Sequence, residues 1–398
     1  MNLAIIVLPL VAAAQPSFEV ETSTGKVELG RVVQFSAEGK LLLDGDRVIG
    51  DSIVLLRRVS TANPGFPACP RLELHNGDCL AGEIHRLADA ILLVRPRSFR
   101  VDGEAQLLRL PLSAVSRYWQ NDPDGMTRDV RRTVASKERP RDLAVLDNGD
   151  IVAGTLLEWS GTNHSLVMQS GNDQRSIKQP QLAALAFSTA TSRVRKPAGT
   201  VYRLTLTDGS RWTLSGIDWK DQRIRGTDLF RNSIVIEAEQ LVFLDVINGK
   251  AQSLLDVKPA QVVDDSIEMD ATSASFRPVT GLQPLQLKTG MGISHYDDGI
   301  TTMGEARIDY ALEPDASRFE CTVGLDPVRG ARGHVRLAVL LDGKPLPIDR
   351  PTMTLADGVK HLNLKVEGAK LLSLVVEAAD GGTAGDCVNW CRPRLIRK

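Results

Sequence analysis

Aromatic residues make up only 5% of this 398-residue chain. Its cores must therefore be filled mainly by aliphatic side chains, and any surface that stacks on a ligand ring has few residues to draw on. No run approaches the roughly 20 apolar residues that a membrane-spanning helix needs. Charge of one sign is lacking too: 48 basic and 49 acidic residues leave a formal net charge of -1. Such a balance gives no field for holding nucleic acid or an anionic membrane. The local basic stretch 193–196 is offset by acidic residues elsewhere. Long amphipathic helices are absent. So are the G-x-S-x-G elbow, the H-E-x-x-H zinc motif and the P-loop. A glycosidase needs two carboxylates facing each other across ~5–10 Å, whereas the adjacent Asp297 and Asp298 point apart on extended backbone. Asp78 and Asp150 follow turn glycines and read as solvated turn residues. These absences exclude most enzyme classes and leave binding.

The N-terminus reads as an export signal. Residues 3–11 are almost wholly apolar, and Ala12-Ala13-Ala14 before Gln15 is a small-residue cleavage site, with only the α-amine supplying positive charge ahead of it. The expected location is secreted, periplasmic or at the cell surface. Five cysteines are an odd number for an exported chain. Cys69 and Cys79 bracket a turn and can pair if the strand folds back; Cys387, Cys391 and Cys321 form a second candidate set. At least one disulfide is expected in an oxidising compartment, with its partners left open. With six histidines and no C-x2-C spacing, zinc is not expected.

What the chain has in quantity is glycine turns, and they repeat. Leu72-Glu73-Leu74-His75-Asn76-Gly77-Asp78 leads into a strand with Gly82 five residues after the turn glycine. Leu143-Ala144-Val145-Leu146-Asp147-Asn148-Gly149-Asp150 does the same with Gly154. Asn-Gly between alternating runs signals a hairpin, read here as a turn with both residues at φ > 0. The later glycine suits a bulge or tight bend. A weaker first copy carries Gly25 and Gly30, and a diverged fourth begins at Tyr202 with Asp208-Gly209 and Gly216. About five short strands in ~45 residues predict small curled barrels of SH3-like or Sm-like type. The polar stretch 121–141 shows no periodic apolar face and reads as a flexible connector. The predicted organisation is a signal peptide (1–14), repeats at 18–60, 71–119, 142–187 and 201–247, linkers at 120–141 and 188–200, a lead-in at 248–281 and a final domain at 282–398.

The final domain alternates along 335–340 before an Asp342-Gly343 turn, and again along 362–366 before Glu367-Gly368, which argues for a two-sheet sandwich. It carries an ordered set of pieces: Gly290-Met291-Gly292-Ile293-Ser294-His295, Ile308-Asp309-Tyr310-Ala311-Leu312, Val323-Gly324-Leu325-Asp326, Leu341-Asp342-Gly343-Lys344 and the closing Asp386-Cys387-Val388-Asn389-Trp390-Cys391-Arg392-Pro393-Arg394-Leu395. In that order they resemble the novel putative carbohydrate-binding module, NPCBM. The resemblance implies a jelly-roll-like β-sandwich that binds carbohydrate, so the whole chain is expected to be all-β: tandem curled barrels, then the sandwich.

The candidate ligand residues are His295, Tyr296, Asp297 and Trp390. His295 either bonds sugar hydroxyls or orders its own loop. Tyr296 is a stacking candidate, in a stretch 296–304 that reads as an insertion near the ligand loops. Trp390 is either a stacking platform or a plug between sheets, and the plug is the reading adopted. Asp386 matches the acidic residue ahead of that tryptophan; a hard cation such as Ca²⁺ wants several oxygens, so one carboxylate does not call for a cofactor. The expected partner is a glycan or polysaccharide. The rival reading is a surface scaffold that binds other proteins, its sugar site decayed.

Overall fold

The computed structural model describes residues 15–101, 104–136, 138–193, 197, 199–264 and 276–398. The expected signal segment 1–14, most of the basic stretch 193–196 and the middle of the lead-in (265–275) lie outside the described residues. Among those described, the chain is almost all β, with one α-helix, Arg128–Ala135.

Each of the four repeats starts with a hairpin of one design. In the second, Gly77 N–H donates to Leu74 O and Leu74 N–H to Asp78 O; the third and fourth repeat these bonds at Gly149/Leu146/Asp150 and Gly209/Leu206/Ser210. Only the glycines take positive φ, at 87°, 88° and 85°. This corrects the expected turn. The loop has three residues with the glycine alone in the left-handed region, a geometry Asn and Asp fit by accepting a bond from the residue two ahead: Asn76 Oδ1 accepts from Asp78 N at 3.1 Å and Asn148 Oδ1 from Asp150 N at 3.0 Å. At Gly82 and Gly154 a Cβ would overlap the carbonyl of Arg95 or Gln169 on the next strand, so the sharp bend of the long second strand needs glycine there. In the second repeat the strands Arg71–Leu74, Cys79–Ala88, Ile91–Pro96 and Leu108–Pro111 pair in succession, and after a single 3-10 turn Val115–Trp119 closes on the first.

The repeats do not stand apart. The second pairs with the third through Tyr118↔Leu185 and Trp159↔Leu87. The first pairs with the fourth through Leu56↔Leu244 and Trp219↔Phe35. The pairing is nested rather than sequential, and one apolar core runs through all four, from Phe18 to Val246. The stretch 121–141 is also more built than its composition suggests. Thr127 caps the helix by accepting from Val130 N, Val134 is fully buried against Trp119 and Ala184, and Arg117 and Arg139 donate to the carbonyls at the helix end. Two valines one turn apart, Val130 and Val134, were enough of an apolar face.

The final domain is two packed sheets, of six described strands each. One contains Phe276–Thr289, Gly292–Met303, Cys387–Arg397, Ala316–Leu325 and Val359–Lys365; the other contains Gln261–Asp264, Ala306–Ala311, Leu371–Ala378 and His334–Leu341. The sandwich starts earlier than residue 282: Ala251–Ser253 pairs with the closing strand, and Leu254 is buried in the core. The cysteines are all free thiols. Glu73 faces Cys79 across its hairpin, so Cys69 is not opposite it. Cys387 and Cys391 lie four residues apart on one strand, ~13 Å at strand rise, beyond disulfide reach.

Candidate functional site

The strand Gly292–Met303 carries three of the four candidate residues, and the stretch expected as a loop insertion is this strand itself. It pairs on one side with Phe276–Thr289 and on the other with the closing strand, where Ile300 faces Trp390. Nothing local compensates the adjacent carboxylates of Asp297 and Asp298. The compensation is tertiary, supplied by arginines of the repeats.

An irregularity in the pairing with Phe276–Thr289 breaks simple alternation here, so packing decides which way each residue points. Ile300 and Trp390 face inward, and Trp390 is 0% exposed in the sandwich core. The opposite face of the same sheet meets the repeats. There Tyr296 is buried with Leu285, Leu287 and Cys391. His295 donates its backbone N–H to Asn63 O at 3.0 Å, with its ring Nδ1 3.4 Å from the same oxygen; it orders a contact with the connector between the first two repeats. Asp297 lies 2.9 Å from Arg211 Nε and 3.9 Å from Arg203 Nε. Burial alone would raise the Asp297 carboxyl, but Arg211, Arg203 and Arg392 outweigh it and hold it below the usual carboxylate range. For Asp298 burial wins, aided by Asp245 and Asp297, and pushes it up to about 6 against the pull of Arg392. Asp386 stands elsewhere: Oδ1 accepts from His334 N at 3.0 Å, and Oδ2 is buried without a partner. Among the described residues no group of three or more His, Cys, Asp or Glu is arranged to hold a metal ion. Asp78 is not a solvated turn residue: it is fully buried, accepting from Thr213 Oγ1 at 2.7 Å.

Between the sandwich and the repeats runs a cleft of about 1290 Å³. Its sandwich wall presents Asp297, Asp298, Arg392 and Arg394; the facing wall presents Arg203, Phe243 and Asp245. Arg392 is held in the left-handed region at φ 50°, an unusual place for a non-glycine residue. It interrupts the ladder between Thr322↔Cys391 and Glu320↔Arg394. That bulge throws the guanidinium over the Phe243 ring, 3.3 Å from its centroid and 4.0 Å from Asp245 Oδ2. Arg394 bridges Asp245 at 3.4 Å and Glu21 at 3.1 Å. The Phe243 ring is 2% exposed beneath Arg392, so what the cleft offers is planar donors and carboxylates, groups that match hydroxyls able both to donate and to accept.

Of the predicted residues, only Asp297 lines the cleft. Arg203, Phe243, Asp245, Arg392 and Arg394 were missed. The signal available was the cluster Arg392, Arg394 and Arg397 on the closing strand, too many charges for a strand buried on both faces.

Residues 251–396 match the family model described as the NPCBM/NEW2 domain. Among solved structures, the chain is similar to a CBM51 module from Clostridium perfringens GH95 in complex with methyl-galactose, with 22% identity over 37% of this chain and 99% of that one and a TM-score of 0.33. It is also similar to the tandem CBM51 modules of a family 98 glycoside hydrolase from Streptococcus pneumoniae SP3-BS71, with 10% identity over 90% and 88% of the two chains and a TM-score of 0.33. No curated protein matches the chain.

Proposed function

We propose that this protein is an exported, non-enzymatic carbohydrate-binding protein that holds a cell-wall or extracellular polysaccharide in the cleft between its NPCBM/NEW2 sandwich and its repeats. The observation that carries the reading is Arg392: a strained backbone position in the matched domain spends its side chain on an aromatic face and a carboxylate in an open cleft. Strain of this kind persists where the surroundings over-determine it and is concentrated at ligand sites. The cleft is larger than the ~300–1,000 Å³ common for small-molecule pockets, which suits several sugar units of a chain. The pattern at 1–14 supports export, and the lack of the familiar enzyme motifs in the sequence supports binding without turnover.

Calorimetry and a glycan array with the full chain test this. Binding is expected in the ~0.1–1 mM range typical of shallow contacts, weakened several-fold by Arg392→Ala. A folded protein that binds no glycan would hand the function to the rival reading, a surface scaffold for other proteins.

A further inference from the structure

The inner arm of the cleft is built differently from its centre. It is lined by Arg71, Glu73, His75, Arg117, Trp119 and Arg139. Three guanidiniums surround the carboxylate of Glu73, which lies 3.4 Å from Arg71 and 3.2 Å from Arg117, while Asp124 on the same lining is paired with Arg131 at 3.3 Å. Arg139 is buried and bonded to Ser116 Oγ and to backbone carbonyls, including those of Phe187 and Val134, with no carboxylate on it. The nearby Asp142 has its oxygens taken by the N–H groups of Leu156 and Ser188. Burial, with Arg139 and Arg117 beside it, keeps the His75 pKa below the ordinary value, so the ring is held neutral among these cations.

The hydrogen-bond inventory leans the same way. Trp119 Nε1 is a buried N–H donor without an acceptor, and Arg71 Nε and Arg203 Nε reach only long ion-pair contacts, 3.4 Å to Glu73 and 3.9 Å to Asp297. His75 Nε2 is also buried without a partner on this lining, whereas Gln240 Oε1 and Asp386 Oδ2, buried acceptors without a donor, lie outside it. A wall with surplus donors and surplus positive charge is electropositive in a partly desolvated setting, where charge counts for more than in water. Such a wall is matched by a group that only accepts.

We infer that the arm formed by Arg71, His75, Arg117 and Arg139 receives the acidic group of a glycan, a carboxylate or a sulfate, so that the protein selects acidic over neutral oligosaccharides. The inference rests on the reading of the cleft as a glycan site. Guanidinium binds either anion through paired N–H donors, and such bonds are roughly twice as strong as neutral ones.

The test is calorimetry on the full chain with three probes of equal length: an oligogalacturonate, carrying carboxylates; a sulfated galactan oligosaccharide, carrying sulfates only; and a neutral galacto-oligosaccharide. At least one acidic probe is expected to bind about tenfold or more tighter than the neutral one, and the two acidic arms identify the anion. The preference should shrink as salt rises from roughly 0.05 to 0.3 M, because screening acts on the charged contact. Arg71→Gln, checked as folded by circular dichroism, should remove most of the preference, and Arg71→Lys should keep part of it by keeping the charge. Equal affinity for neutral and acidic probes would overturn the inference while leaving carbohydrate binding intact. So would a preference that survives Arg71→Gln unchanged and ignores salt. Failure of all three probes and of the wider array would overturn both.

Discussion

The molecule has two kinds of seam, made from the same kind of strand. Where repeat meets repeat, strands join edge to edge and aromatic rings lock them: Trp159 stands edge-on to Tyr118 at 5.4 Å and donates to Ile84 O, while Trp219 stands edge-on to Phe18 at 5.5 Å. Where the sandwich meets the repeats, guanidiniums do the joining: Arg211 to Asp297, Arg394 to Glu21 and Asp245, Arg392 over Phe243. The first seam gains from burying apolar surface. The second gains little, because desolvating two ions offsets most of their attraction. A charged seam, however, does not collapse onto itself, and an open cleft lies beside this one. The two seams separate the work of holding the chain together from the work of presenting polar groups.

The largest effect should come from the apolar seam. Trp219→Ala removes a buried indole shared by the first and fourth repeats, at about 3–5 kcal/mol. Thermal unfolding should start roughly 10 °C lower. A shift of a degree or two would mean that the repeats do not depend on that seam.

The contrast between the seams was half legible in the sequence. Hairpins announced themselves through Asn-Gly and the later glycine, and the sandwich through alternation and its ordered motif pieces, because these signals are local. The turn type was misread for a local reason as well, since a three-residue loop asks for positive φ at the glycine alone. The nested pairing of repeats was not legible: which strand edges meet is decided by tertiary packing, and nothing in Val115–Trp119 names Leu182–Ala186 as its neighbour. The site failed in the same way. The stretch 296–304 read as an insertion, since the partners of Asp297, Arg203 and Arg211, lie over 80 residues away.

Asp297→Asn probes the charged seam at its most buried pair. Removing one partner strands Arg211, which is fully buried. The expected cost is about 3 kcal/mol, the lower end for a broken buried pair, because Arg211 keeps the Pro64 carbonyl at 2.7 Å and Arg203 keeps Asp78. The sharper measurement is the double variant Asp297→Asn with Arg211→Met. If the seam follows the physics of buried ion pairs, urea denaturation should show the double variant more stable than the single one. Additive losses would show instead that Arg211 acts through its backbone contacts.

The smallest effect, and the most specific to the charged seam, is its response to pH. Glu21 of the first repeat and Glu320 of the sandwich share a proton across the boundary, with Arg394 between them. Burial dominates for Glu21 and lifts it from 4.5 to about 7, despite Arg394; Glu320 is held low by Arg394 and by its bond from Glu21. A carboxyl with a raised folded pKa binds its proton more tightly folded than unfolded, so its contribution is present at low pH and is lost as pH rises from about 4.5 through 7. The histidines His75, His295 and His361, whose values are lowered, pull the other way as pH falls below 6.5, so the total curve mixes both. Comparison with Glu21→Gln isolates the carboxyl, because Gln stands in for its protonated form. At pH 5 the two proteins should melt within a degree or so of each other; by pH 8 the variant should be the more stable by ~1–2 kcal/mol, a difference discounted for the coupling to Glu320. Trp219→Ala should show no such dependence, because no carboxylate changes its burial. A Glu21→Gln difference that is flat from pH 5 to 8 would remove the shared proton from the seam and leave its arginines, Arg394 and Arg318, as the links there.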